Sequence, residues 1–287
     1  MNDHWKEWIL THRQSGAGNY RQALEKFFIP LREKLLDRAV LKEGEILLDV
    51  GTGDGLVGFG ALARVGMQGK VIFSDISEPL IELCRSVAAD MGALDQCEFK
   101  LMSADKLDLP DASVDVVTTR SVLIYLPDKK KCLEEFYRVL KPGGRISLFE
   151  PVADVYTSLG KGRSVMGLSV DVSPDILKKI AEGRQTAGGG KDSTLAGFDE
   201  RDLFKWADAC GFSEIDIEMQ LTKKRKPAPP IEHFLHAKPN PLATTLQEIM
   251  DASLTEEERA MLRQSIEKAI PKGTTDYMAL AFLQAVK

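Results

Sequence analysis

Ile46-Leu47-Leu48-Asp49-Val50-Gly51-Thr52-Gly53-Asp54-Gly55 decides the fold: an apolar strand runs into a turn with glycine at alternate positions. Apolar residues at 46, 47, 48 and 50 lack helical spacing and suit a central parallel strand covered on both faces. Beyond the turn, Leu56, Val57, Phe59, Leu62 and Ala63 recur with the spacing of a helix face. Glycines between a strand and a helix put no Cβ in the way, so the backbone there can come within van der Waals distance of a ligand.

Outward from this unit the pattern repeats. Lys70–Asp75 reads as a second strand ending in an acid, followed by a helix over Pro79–Met91 and a third strand over Cys97–Met102. Val114–Thr119 is the fourth strand, and a helix from Lys129 leads to Leu140-Lys141-Pro142-Gly143-Gly144-Arg145. That turn precedes a fifth strand, Ile146–Phe149, and then Glu150-Pro151. Alternating strands and helices imply an open parallel sheet wound on both faces, whose ligands bind outside the carboxyl ends of its strands.

The run Asp49-x-Gly51-x-Gly53-x-Gly55 resembles the first motif of the class I S-adenosylmethionine-dependent methyltransferases: an acidic residue, any residue, then Gly-x-Gly-x-Gly. The resemblance covers about residues 46–151, with five elements in the family's order. Its Leu140–Arg145 turn and Glu150-Pro151 look most like the small-molecule branch that includes the quinone-biosynthesis methyltransferases. It implies an α/β, Rossmann-like, doubly wound, seven-stranded, mostly parallel sheet with an antiparallel last strand. It also implies S-adenosylmethionine as cofactor, its methyl group passing to a small-molecule acceptor by in-line displacement.

Carried over residue by residue, the cofactor positions are Asp49, Gly51, Thr52, Gly53 and Gly55 in the loop. Asp75 would accept hydrogen bonds from the ribose hydroxyls, and Ile76 would lie flat on the adenine. Ala104 and Asp105 match the position that reads the adenine edge, a turn cap being the equal alternative for Asp105. Arg120 and Ser121 face the methionyl part or the substrate. Tyr20, in the leader, either touches the methionyl end or packs the leader onto the core. If the acceptor is a hydroxyl or amine, Glu150, His233 and His236 are the candidate bases; a thiol or an activated carbon needs none. Thr118-Thr119-Arg120-Ser121 departs from the Pro-Pro-Tyr type of sequence with which methyltransferases of nucleobase amino groups grip a base.

Two competing readings use the same residues. Gly53, Gly55 and Gly58 spell G-x-G-x-x-G with Asp75 20 residues past Gly55, the pattern of a dinucleotide site and hence of an NAD-dependent oxidoreductase. Against it, Gly53 stands three residues beyond Val50, and Asp49 sets a carboxylate where an anionic pyrophosphate would lie. The other is a noncatalytic module that binds S-adenosylmethionine without transferring its methyl group.

At 287 residues and 44% hydrophobic, the chain can bury one large α/β core with additions. A net charge of -5 gives no general attraction to nucleic acid or anionic membrane. The absence of a long apolar run and of a signal-peptide pattern leads to the expectation of a cytoplasmic protein with no membrane span. Four cysteines without a C-x-x-C pair indicate neither a disulfide framework nor a zinc site, so no metal is expected. Residues 1–40 read as a helical cap interrupted at Pro30, and 41–152 as the cofactor core. An insertion at 153–195 is placed to act as a lid hinged at Gly160, Gly162, Gly167 and Gly188–Gly190. The core resumes over 196–222, and 223–275 is a second helical insertion with Lys223-Lys224-Arg225-Lys226 as a solvated loop at its root. Residues 276–287 supply the last strand, a helix being the alternative. No residue pattern names the attacked atom or the oligomeric state.

Overall fold

The structure, a computed structural model, describes residues 3–9, 24–152, 164–187, 197–238 and 243–287. The strands are β1 (Ile46–Val50), β2 (Lys70–Asp75), β3 (Cys97–Leu101), β4 (Val114–Arg120), β5 (Leu140–Pro151), β6 (Ser164–Val165), β7 (Leu168–Ser169), β8 (Ser213–Lys226) and β9 (Thr274–Val286). Seven of them form one sheet in the order β3-β2-β1-β4-β5-β9-β8, while β6 and β7 make a separate hairpin. β1 pairs in parallel with β2 and with β4, β2 with β3, and β4 with β5.

β9 runs the other way. Gly143 N–H donates to the Lys287 carbonyl and Lys287 N–H to the Gly144 carbonyl at one end, and Val152 N–H donates to the Ala279 carbonyl at the other. The last strand of the chain is thus antiparallel and inserted between β5 and β8, as the resemblance implied. The helix alternative for 276–287 does not hold: Ala279–Leu283 are buried in the sheet.

The chain divides into two compact units, the first comprising Met1–Pro151, Glu200–Met219 and Ala281–Lys287. Its centre is β1, whose Leu47, Leu48 and Val50 are at most 2% exposed because helices cover both faces of the sheet. The helix Leu56–Val65 buries Val57, Ala61, Leu62 and Val65. Ser77 caps the helix Glu78–Asp90, and Asp128 caps Lys129–Val139 by accepting from Lys131 N–H at 2.9 Å. Pro30 stands in the first turn of the helix Ile29–Ala39, where its missing N–H costs nothing, and a π-helical turn, Leu24–Phe28, precedes it. That helix is tied down by Arg145, 8% exposed, which pairs with both Glu45 oxygens at 2.7 and 2.8 Å and donates to the Ala39 and Val40 carbonyls.

β5 begins at Leu140, earlier than expected. Its pairing with β4 jumps from Val114↔Leu140 to Val116↔Arg145, so the Lys-Pro-Gly-Gly stretch bulges within the strand instead of preceding it. The sheet winds outward from β1 in both directions, which puts its topological switch point between β1 and β4, beside the loops that follow those two strands.

The second unit comprises Val152–Asp199 and Gln220–Leu280. The stretches read separately as two insertions share one apolar core, with Ile176 and Ile180 of the helix Pro174–Ala187 joined to Phe234, Ile249, Leu262 and Ile266. Two of its helices, Leu246–Ser253 and Glu256–Ala269, start with complete capping boxes, Thr245 with Glu248 and Thr255 with Glu258. Lys223–Lys226 are exposed strand residues of β8, not a loop: the strand continues past Leu221, Lys226 pairs with Asp276 at 2.5 Å, and Lys223 Nζ stands 5.5 Å from the centre of the Tyr277 ring. Most of the expected hinge glycines, Gly160, Gly162 and Gly188–Gly190, lie outside the described residues. Among the described residues no helix is long and apolar enough to cross a membrane.

Candidate functional site

The loop after β1 is held from below. Asp49, 1% exposed, accepts from Thr52 Oγ1 at 2.6 Å, from Gly58 N–H at 3.0 Å and from Thr118 Oγ1 at 3.1 Å. One carboxylate thereby fixes the loop, the first turn of the following helix and the neighbouring strand β4. Burial pushes its pKa up to about 6 against the opposing effect of those three donors. Asp49 was expected among the cofactor contacts; the geometry puts it beneath the loop, with its oxygens taken up by protein donors.

The glycines of the loop all have left-handed backbones, φ +64° at Gly51, +59° at Gly53 and +79° at Gly55, which L side chains rarely adopt. The space that two of them leave is filled by protein. A Cβ on Gly51 would lie 2.4 Å from Val122 Cγ2, and one on Gly55 2.3 Å from Phe59 Cε2. Gly53 is different. Its N–H donates to Asp75 Oδ2 at 2.9 Å, and its open side is approached by Ile9 Cδ1, 3.2 Å from where a Cβ would stand.

Asp75 ends β2 at 8% exposure and also accepts from Ser77 N–H at 3.0 Å through Oδ1. Burial raises its pKa, and the nearby Asp3 carboxylate adds to the rise. Beside it Ile76 is 57% exposed, an apolar side chain turned to solvent at the carboxyl edge of a buried sheet. Ala104 is buried, and Asp105, half-buried, accepts from Ser103 Oγ at 2.5 Å. That bond joins two side chains, and it decides neither for the turn cap nor for the adenine edge.

At the end of β4, Ser121 is held at φ +58°, a conformation uncommon for a residue with a side chain, and its N–H donates to the Phe149 carbonyl at 2.8 Å. The Arg120 guanidinium stands 5.7 Å from the centre of the Phe28 ring. The loop that follows is gripped by Glu150, 1% exposed, which accepts from Val122 and Leu123 N–H at 2.9 Å and from Ile124 N–H at 3.1 Å. Burial lifts the Glu150 pKa to about 7. Expected as a base, it instead has its oxygens occupied by backbone amides and no face open to solvent. His233 is exposed on the helix Ile231–His236, which belongs to the second unit. Tyr20 lies outside the described residues.

Sequence reasoning did not foresee what the first residues do. Asp3 Oδ2 accepts from Ser77 Oγ at 2.5 Å, and Trp5 makes an edge-to-face contact with Tyr125, ring centres 4.8 Å apart. Together with Ile9, buried to 8%, they bring residues 3–9 onto the loops after β1, β2 and β4. The Trp5, Trp8 and Ile9 cluster signalled an apolar face, without saying what it covers.

The constellation thus joins the loop after β1, the acid ending β2 and the loop after β4, all at the switch point of the sheet. A family model described as a methyltransferase domain matches residues 41–187. The ubiquinone/menaquinone biosynthesis C-methyltransferase UbiE of Escherichia coli is 30% identical over 183 residues, 63% of this chain and 71% of that protein. Among solved structures, phosphoethanolamine N-methyltransferase 2 of Haemonchus contortus, in complex with S-adenosyl-L-methionine, aligns at a TM-score of 0.56 with 16% identity, over 99% of this chain and 60% of that one. YcgJ of Bacillus subtilis aligns at 0.54 with 16% identity, over 89% and 97%. At such identities these two structures speak for the fold alone. The family match and the UbiE similarity go further: this chain belongs to the methyltransferase-domain family, as its resemblance to the class I S-adenosylmethionine-dependent enzymes implied.

Proposed function

We propose that the protein binds S-adenosylmethionine across the loop after β1 and Asp75, and that it methylates a small-molecule acceptor. The observation that carries the proposal is the 2.9 Å hydrogen bond from Gly53 N–H to Asp75 Oδ2, which makes the glycine loop and the acid one rigid cradle. The backbone donors Gly53, Ser77 and Ile76 do not exhaust the lone pairs of Asp75, so its carboxylate can accept from a ribose hydroxyl while keeping these bonds. Exposed Ile76 offers the flat apolar face on which a purine base would rest. When bound, the cofactor supplies an electrophilic methyl group on a cationic sulfur.

The chain's own contribution is alignment and exclusion of water. Asp49, by holding Thr52, Gly58 and Thr118 at once, keeps the loop from shifting as ligands enter. Arg120 and Ser121, at the carboxyl end of β4, are the candidates to meet the methionyl part or the acceptor. UbiE is named for methylation at carbon, so an activated aromatic carbon is the first acceptor class to test, and it requires no side-chain base. The dinucleotide alternative has the Gly53, Gly55 and Gly58 spacing in its favour, and the match to a methyltransferase-domain model weighs against it.

The experiment is transfer of label from S-adenosyl-[methyl-³H]methionine into a metabolite extract, with products separated by mass. Labelled small molecules that require the protein support the reading. Label only in protein or nucleic acid, or tight cofactor binding with no labelled product, would replace it with a macromolecular acceptor or a noncatalytic module respectively.

A further inference from the structure

We propose that Glu150 is a positioning residue for methyl transfer: its carboxylate sets the loop Ser121–Leu126, and through Val122 that loop sets the wall beside Gly51. The inference rests on the methyl-transfer reading of the site and adds a residue whose role is to hold geometry without touching the reacting atoms.

Three successive backbone amides, those of Val122, Leu123 and Ile124, converge on the Glu150 oxygens, and Thr119 Oγ1 stands 3.5 Å from Oε1. Oε1 takes three of these donors and Oε2 the Ile124 N–H, so at 1% exposure most of the carboxylate's accepting capacity is spent on the loop. The loop's own backbone bonds, Tyr125 N–H to the Val122 carbonyl and Leu126 N–H to the Leu123 carbonyl, leave the amides of Val122, Leu123 and Ile124 for an outside acceptor, and no side chain of these three apolar residues can supply one. At the far end Lys129, 7% exposed, donates from Nζ to the Leu126 carbonyl at 2.9 Å, so two buried groups of opposite charge hold the same short segment.

The clamped loop bears directly on the cofactor loop, because Val122 Cγ2 occupies the space that a Cβ on Gly51 would need. Slackening the clamp moves Val122 off Gly51 and widens the site beside the β1 turn. The Gly53–Asp75 bond, on the other side of that turn, is left in place. The consequence is a division of labour: Asp75 governs binding of the nucleoside, and Glu150 governs alignment for transfer. A misplacement of about 1 Å can cost on the order of 100-fold in rate while leaving most contacts made.

The test compares Glu150→Ala and Glu150→Gln with the unaltered protein. Gln keeps one carbonyl oxygen, able to hold the two amides on Oε1, while its NH2 would face the Ile124 N–H, so it serves as a partial, conservative rescue. With transfer of label from S-adenosyl-[methyl-³H]methionine into the metabolite extract as the readout, the expected rate is lower by about 100-fold for Ala and by no more than about 10-fold for Gln, with S-adenosylhomocysteine affinity within about threefold for both. Hydrogen–deuterium exchange of the peptide covering Val122–Ile124 should quicken in the order wild type, Gln, Ala. If Glu150→Gln is as inactive as Glu150→Ala, the residue is a base and the proposal fails. If affinity falls in step with rate, its role is general folding, and the proposal also fails. Unchanged exchange in either variant removes the clamp itself. Should Glu150→Ala not fold, Glu150→Gln still decides, by its exchange rate and its split between turnover and affinity. Failure of the methyl-transfer reading would show separately, as wild-type protein that binds no S-adenosylhomocysteine while its Val122–Ile124 amides remain protected.

Discussion

The backbone N–H of Gly53 donates to Asp75 Oδ2 at 2.9 Å, joining the turn after β1 to the end of β2 across 22 residues of sequence. With Asp49 fastened under the same turn, the loop is held by two buried carboxylates, one from below and one from the side. Such a loop is set before any ligand arrives, and that preorganisation is what makes the following outcomes specific.

Gly51→Ala is expected to destabilise the protein by about 1–3 kcal/mol, since it adds a left-handed strain and a Cβ 2.4 Å from Val122 Cγ2. Val122→Ala in the same chain removes the clash and leaves the backbone strain. Urea unfolding of the single and double variants should therefore show partial recovery. Full recovery would mean that φ +64° at residue 51 carries no cost.

Stability depends on pH through Asp49 and Glu150, whose folded-state pKa values are raised to about 6 and about 7, and through Asp75, raised in the same direction by burial. A carboxyl with a raised pKa binds its proton more tightly when folded, so its stabilising contribution is present at low pH and is lost as pH rises through the folded value. Glu45 and Glu135, paired with Arg145 and Arg138, have lowered values and stay ionised above pH 5, so they add no slope in this window. Thermal unfolding should thus show a gain on going from pH 7.5 to pH 5, on the order of 4 kcal/mol. Glu150→Gln should flatten the upper part of that curve, and an unchanged slope would contradict the assignment.

Thr255→Ala removes the capping box of the helix Glu256–Ala269 in the second unit and should cost about 1 kcal/mol of stability. Because that helix buries Leu262 and Ile266 in a core of its own, S-adenosylhomocysteine affinity should stay within twofold. Parallel titrations of the variant and wild type check both halves of the statement.

Local pattern made the sheet legible and long-range contacts made the rest illegible. Leu47, Leu48 and Val50 announce a strand buried on both faces, and the acid at 75 announces its end, because both signals lie within a few residues of their cause. The role of Glu150 depends on amides 26 to 28 residues earlier in the chain, and apolar Val122, Leu123 and Ile124 give no sign of what they bond. The two insertions read as separate because 165–180 and 231–269 each show only half of the apolar core they share. Lys223–Lys226 looked like a loop because charge masks strand character on an edge strand that has little to bury.

The central claim is that a nucleoside sulfonium is held between the turn after Val50 and Asp75. Isothermal titration of S-adenosylhomocysteine and of NADH against wild type and Asp75→Ala tests it most directly. The account predicts saturable binding of S-adenosylhomocysteine to wild type, binding weaker by about 30-fold or more after loss of the buried carboxylate, and no heat with NADH. Binding of NADH without S-adenosylhomocysteine, or S-adenosylhomocysteine affinity unchanged in Asp75→Ala, would contradict it.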